Sequence, residues 1–299
     1  MSAQARQHRQ SIDLARTLAA FGVVAVHIHA SVNDWFGHVA LALFLVLSAF
    51  LTARAADRNG GRPDWPVRVR RILLPWVFWS AAYWLLNALT AEGASLDVLP
   101  REPLSLLVGA SIHLWFLPFV LLAGLVVRPV LAFTRTVPRL ALAALGLGLV
   151  GVPLFWVHTV FPFAPEPLPQ WAYAVPPFLC GVLLVPAHRM QRIVLPLAAL
   201  GGLNLVALVM SHGAPWAWTT LAGALAFETF WNLPVEHPVL PVLGRSCFGV
   251  YLLHPFFMLV GYKLFGTGVP WPLFSLLVFA LSALTALGLQ RLPLIRAVV

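Results

Sequence analysis

Apolar residues along this chain gather in runs of about twenty, separated by proline, glycine or arginine clusters, and about 20 such residues are what a helix needs to cross a bilayer. Ten runs are expected to form helices, over about 13–31, 36–53, 72–91, 112–132, 140–158, 171–187, 193–211, 215–231, 244–264 and 271–290. The breaks between them carry turn formers: Asn59-Gly60-Gly61, Gly93, the stretch from Phe161 to Gln170, and Gly213. No internal repeat or low-complexity tract is visible. The predicted fold class is an all-α polytopic membrane protein of about ten transmembrane helices, with residues 1–299 forming a single integral-membrane domain.

The distribution of positive charge tests that layout. Cytoplasmic loops of membrane proteins are enriched in arginine and lysine. If the N-terminus is cytoplasmic, every arginine except Arg101 falls in or beside an inside loop, and only Arg101 and Lys263 fall outside. A wrong span count would scramble the alternation, so both termini are expected inside. The first run follows Arg6 and Arg9 as a signal peptide would, but it contains Arg16, His27 and His29 and nine further runs follow; an uncleaved first helix is the better reading. Trp35, Trp65, Trp76, Trp115, Trp171, Trp216 and Trp271 lie near expected span ends, where an amphipathic ring suits the interface.

Composition agrees. Of 299 residues, 60% are apolar and 10% charged, and the mean hydropathy is +0.87. Soluble domains carry roughly 25% charged residues. The pI near 11.0 raises nucleic acid as a partner. Because the arginines sit between apolar runs rather than on one face, nucleic-acid binding is excluded and membrane lipid is the expected surroundings. Cys180 and Cys247 lie inside apolar runs, with neither a disulfide framework nor metal-ligand spacing, and no metal site is expected.

Ionisable side chains inside a span are costly unless they face a cavity or a partner, so they are the first candidates for function. Arg16 and His27 are eleven residues apart, about three helical turns, and therefore share one face about 16 Å apart along the axis. Asp13 is placed to pair with Arg16, while His29 points roughly the opposite way. Glu228, inside the eighth run, needs a partner, water or a proton.

Five patterns, in order along the chain, resemble the acyltransferase-3 family. They are Arg16 and His27 with ten residues between; Phe44 to Leu51 with Ser48 and Ala49, where the family usually has glycine at 49; Arg68-Val-Arg-Arg71 leading into Pro75 and Trp76; His113-Leu-Trp-Phe-Leu117; and the late group Gly244, Ser246, Tyr251, Leu252 and His254. The resemblance implies a membrane-bound O-acyltransferase of the bacterial inner membrane. It implies an acyl-CoA donor, acetyl-CoA by default, on the cytoplasmic side, and a carbohydrate hydroxyl of the cell envelope as acceptor. It assigns Arg68 and Arg71, with Arg70 beside them, to the phosphates of coenzyme A, where guanidinium groups pair bidentately. Arg16 would hold part of the donor or stabilise developing negative charge. His27 has the side chain of a general base, or of a residue transiently acylated, and the sequence leaves the two open. His113, Trp115, Tyr251, His254 and Glu228 are candidates for the acceptor side. Two other classes compete: a transporter or exporter of a glycan, whose signs would be paired interrupted helices and a midplane site, and a structural membrane protein, which the ionisable stripe of the first run disfavours.

Overall fold

The computed structural model describes residues 9–29, 35–60, 65–90, 103–160, 164–293 and 295–299. The expected outside loop carrying Gly93 and Arg101 lies outside the described residues, as do Arg6 and Gly61. The described residues contain helices and no strand. They run α1 (Gln10–Ile28), α2 (Trp35–Arg58), α3 (Trp65–Thr90), α4 (Phe116–Ala123), α5 (Val127–Phe133), α6 (Val137–Val160), α7 (Leu168–Met190), α8 (Val194–Met210), α9 (Thr219–Asn232), α10 (Leu240–Phe265) and α11 (Trp271–Leu289). Short 3-10 turns at Ile112–Trp115 and Gly124–Val126 join α4 and α5 into one span, Ile112–Phe133.

The protein is an all-helical polytopic membrane protein. Among the described residues, eight helices are long and apolar enough to cross a bilayer: α1, α2, α3, the composite Ile112–Phe133, α6, α7, α10 and α11. The remaining two expected runs also form helices, but shorter ones. Helix α8 has 17 residues and stops where His212 and Gly213 turn the backbone at φ 53° and 84°; α9 has 14 and is preceded by a 3-10 turn at Pro215–Trp218. Large apolar side chains face outward on several helices, with Val209, Leu89 and Leu284 each about 70% exposed or more. Water would not tolerate so many; lipid is their solvent.

Helix α2 is central, packed along α1, α7 and α9, while α1 also packs against α10 and α11. Helices approach closely where side chains are small, as lipid-embedded packing requires. Gly181 of α7 sits on α2 against the Val46 backbone and the Ala49 methyl group, and a Cβ there would overlap both. Thus Ala49, where the family pattern has glycine, is accommodated by a glycine on the opposite helix. At one end of the bundle this packing gathers the start of α1, the end of α2, the start of α3 and the start of α10; at the other it brings the end of α1 beside the Ile112–Trp115 turn.

Candidate functional site: a shared intramembrane cavity

Arg16 and His27 open onto one cavity of about 940 Å³, enclosed by α1, α2, the start of the fourth span and α10. Its lining follows helical periodicity. On α2 it takes Gly37, Leu41, Phe44 and Ser48, and on α10 it takes Gly244, Cys247, Phe248 and Tyr251. At its Arg16 end, Asp13 lies 3.5 Å from the guanidinium with a side chain only 3% exposed. Burying that carboxylate needs close support. Gly244 supplies the room, because a Cβ at this position would run into the carboxylate.

At the other end, His27 lies in the last turn of α1. Its Nδ1 is 2.7 Å from the carbonyl oxygen of Val23. A carbonyl only accepts, so Nδ1 carries the hydrogen and Nε2 keeps a lone pair. The ring meets His254 edge to face, centroids 5.0 Å apart, and His254 meets His113 in the same way at 5.3 Å. His254 is fixed at a proline within its own helix. Pro255 has no N–H, which leaves the Tyr251 carbonyl without its helical donor. The His254 Nδ1–H takes that carbonyl at 2.9 Å. His113 comes from the Ile112–Trp115 turn, with Nδ1 2.8 Å from Ser111 Oγ and its ring against Tyr83 at 5.2 Å. The Tyr251 hydroxyl donates to the His113 carbonyl, tying α10 to the fourth span. The Nε2 atoms of His113 and His254 are both buried without a hydrogen-bond partner.

A second cavity, of about 750 Å³, adjoins the first. Arg16, Phe44, Ser48, Arg71, Phe116, Phe248 and Val299 line both. The second is strongly basic: Arg16, Arg68, Arg70, Arg71 and Arg296 border it, and among the described residues its walls contain no acidic one. Arginine guanidinium groups in this arrangement suit a polyanion.

The structure places the sequence-predicted residues as follows. Arg16, His27, His113, Trp115 and Tyr251 line the first cavity, and Arg68, Arg70 and Arg71 line the second. Four placements differ from expectation. Glu228 lines neither cavity; it is buried between α7 and α9 and pairs with His188 Nε2 at 2.9 Å. Trp115 is 7% exposed and packs on Phe119, so it is a wall of the cavity and not an interface anchor. Arg68 is already engaged: its terminal nitrogens donate to Thr52 Oγ1 at 3.1 Å and to the Val120 carbonyl at 2.7 Å, and its guanidinium lies against Gly124 at the 3-10 break. His254 is also not on the cavity surface; it is fully buried behind His27 and His113. His29 stacks on Trp271 at 4.9 Å.

Sequence reasoning passed over His38, Arg245, Cys247 and Gln290, all of which line the first cavity. Cys247 was within reach, since it precedes Tyr251 by four residues and therefore shares its face. His38 and Gln290 carry no such signal. Among the described residues, no group of three or more His, Cys, Asp or Glu side chains is arranged to hold a metal ion.

A family model described as an acyltransferase domain matches residues 9–291. No curated protein and no solved structure matches the chain.

Proposed function

Given that the chain belongs to the acyltransferase-3 family and is a membrane acyltransferase, we propose that it carries an acyl group from cytoplasmic acyl-CoA, acetyl-CoA by default, to a hydroxyl of a cell-envelope carbohydrate in the bacterial inner membrane. The observation that carries this reading is the joined pair of cavities, one bordered by five arginines and the other reaching His27.

The division of labour follows from distance and chemistry. Arg70, Arg71, Arg16 and Arg296 face the basic cavity and are the groups for the donor phosphates. Arg16 is too far from His27 along α1, about 16 Å, to stabilise charge at the reacting carbonyl. It therefore holds the donor, and the long pantetheine arm spans the gap through the first cavity. The thioester then lies beside His27. His27 Nε2 takes the proton of the acceptor hydroxyl as its oxygen attacks the thioester carbonyl. The new C–O bond forms, the C–S bond breaks, and the departing thiolate recovers the proton from His27. Should the acyl group rest briefly on the enzyme, Nε2 is the atom that would carry it. Trp115, Phe116 and Tyr251 offer flat apolar faces on which a sugar ring can stack.

The test uses purified protein in lipid nanodiscs, with acetyl-CoA and a panel of oligosaccharide acceptors. Free thiol is followed with a thiol-reactive chromophore and the product is identified by mass spectrometry. Acceptor-dependent thiol release by the wild type, lost in His27→Ala protein of equal thermal stability, is the expected result. Wild-type turnover in His27→Ala, or a wild type that consumes no thioester with any acceptor, overturns the reading.

A further inference from the structure

His254 packs against His27 from a place that neither cavity reaches. Its ring is wholly buried and lines neither cavity. Yet a histidine is a poor choice for a purely apolar position, because a buried polar atom without a partner costs stability. Here one nitrogen is satisfied and the other is not. Nδ1 donates to the Tyr251 carbonyl, so Nε2 must be the lone-pair nitrogen, and it has no hydrogen-bond partner. The lone pair is retained in a pocket of rings: His27 from α1, His113 from the Ile112–Trp115 turn, Tyr83 from α3 through its bond to the Leu252 carbonyl, and Tyr251 on the same helix. No charged side chain is among them.

We propose that His254 is a positioning residue for His27: its anchored ring packs on the His27 ring, and its uncommitted lone pair is available to the imidazolium that His27 becomes when it takes the acceptor proton. The inference rests on the reading of His27 as the base of acyl transfer. The proton itself goes from the acceptor oxygen to His27 Nε2 and on to the sulfur, and His254 neither gains nor loses one. What it supplies is stabilisation of a positive charge that exists only while the bond is being made. The two rings lie 5.0 Å apart between centroids, and the low polarity of the pocket strengthens the attraction between a nitrogen lone pair and a cation. His113, whose ring also packs on His254, keeps the ring in register.

The experiment has a reading that needs no acyl donor. Diethyl pyrocarbonate acylates neutral imidazole, and positive charge develops on the ring as it reacts, as it does when the base takes a proton. The rate of labelling at His27 is followed by peptide mass spectrometry in the wild type, in His254→Phe, which keeps ring volume without nitrogen, and in His254→Gln, which returns an acceptor oxygen near the Nε2 position. His254→Phe is expected to slow labelling at His27 about tenfold, the rate equivalent of one contact between a cation and a nitrogen lone pair. His254→Gln should recover at least part of that loss. The same order is expected in kcat for thioester consumption, with the donor KM unchanged. Labelling at the wild-type rate in both variants overturns the proposal. So does equal slowing in both accompanied by a fall in thermal stability, which marks a packing role. If labelling follows the expected order while the wild type consumes no thioester, the acyl-CoA reading fails and the link between the two imidazoles stands.

Discussion

Asp13 and Gly244 are packed so that any side chain on residue 244 would overlap the Asp13 carboxylate. This contact joins α1 to α10 at the Arg16 end of the cavity. Gly244→Ala should therefore push the carboxylate off Arg16 and part the two helices. The expected cost is about 1–3 kcal/mol, the usual range for overpacking a close contact. Thermal unfolding in detergent measures it, and acyl transfer should fall with it. An alanine variant as stable and active as wild type would mean that the two helices have slack at this crossing.

Arg68 and Arg71 should separate cleanly. Arg71 borders both cavities, whereas Arg68 is spent on Thr52 and on the Val120 carbonyl beside the break in the fourth span. Arg71→Ala is expected to raise the KM for acetyl-CoA by about tenfold or more, one charge-assisted contact, while leaving turnover of acetyl-pantetheine, which lacks the nucleotide phosphates, nearly unchanged. Arg68→Ala should impair both donors equally and lower thermal stability. Selective loss of acetyl-CoA in Arg68→Ala would return that arginine to the donor site.

Gly181→Ala should be among the most damaging conservative changes in the protein, because the added methyl group meets both the Val46 backbone and the Ala49 side chain. A loss of about 1–3 kcal/mol is expected. Combining it with Ala49→Gly should return part of that loss, since the two positions share one contact, although glycine within a helix costs about 0.5–1 kcal/mol by itself. Additive effects in the double variant would contradict the shared contact.

Glu228 lines neither cavity, so its role is structural. Glu228→Ala leaves His188 without its partner and should cost about 1–3 kcal/mol in thermal unfolding, with turnover per folded molecule unchanged. Glu228→Gln keeps an acceptor and should cost less. A loss of kcat in either variant at unchanged stability would restore Glu228 to the reaction.

The two ends of the cavity were legible in the sequence because they break a rule that holds everywhere around them. A guanidinium and an imidazole inside an apolar run demand a reason, and helical geometry puts Arg16 and His27 on one stripe. The walls between them were not. Leu41, Phe44 and Phe248 are as apolar as the residues that face lipid, and only their neighbours in space separate a wall from a lipid contact. The partners of Arg68 were hidden for a related reason: a basic run at the start of α3 looks uniform, and the carbonyl it binds lies on another span. Glu228 stood out as a charge in a membrane, but the same anomaly arises from an internal pair with His188, forty residues away, which spacing along the chain cannot reveal. The seventh and eighth apolar runs read like the others, and nothing in their hydropathy marks α8 and α9 as the shorter helices they are.

Pro255 and the imidazole before it form one mechanical unit. Replacing the proline would give α10 back an amide hydrogen, and that hydrogen would compete with the His254 ring for the Tyr251 carbonyl. The helix backbone and the rotation of the imidazole are thus coupled through that one carbonyl. An amide hydrogen at residue 255 would release the ring, and neither residue can be redesigned, inherited or lost without consequence for the other.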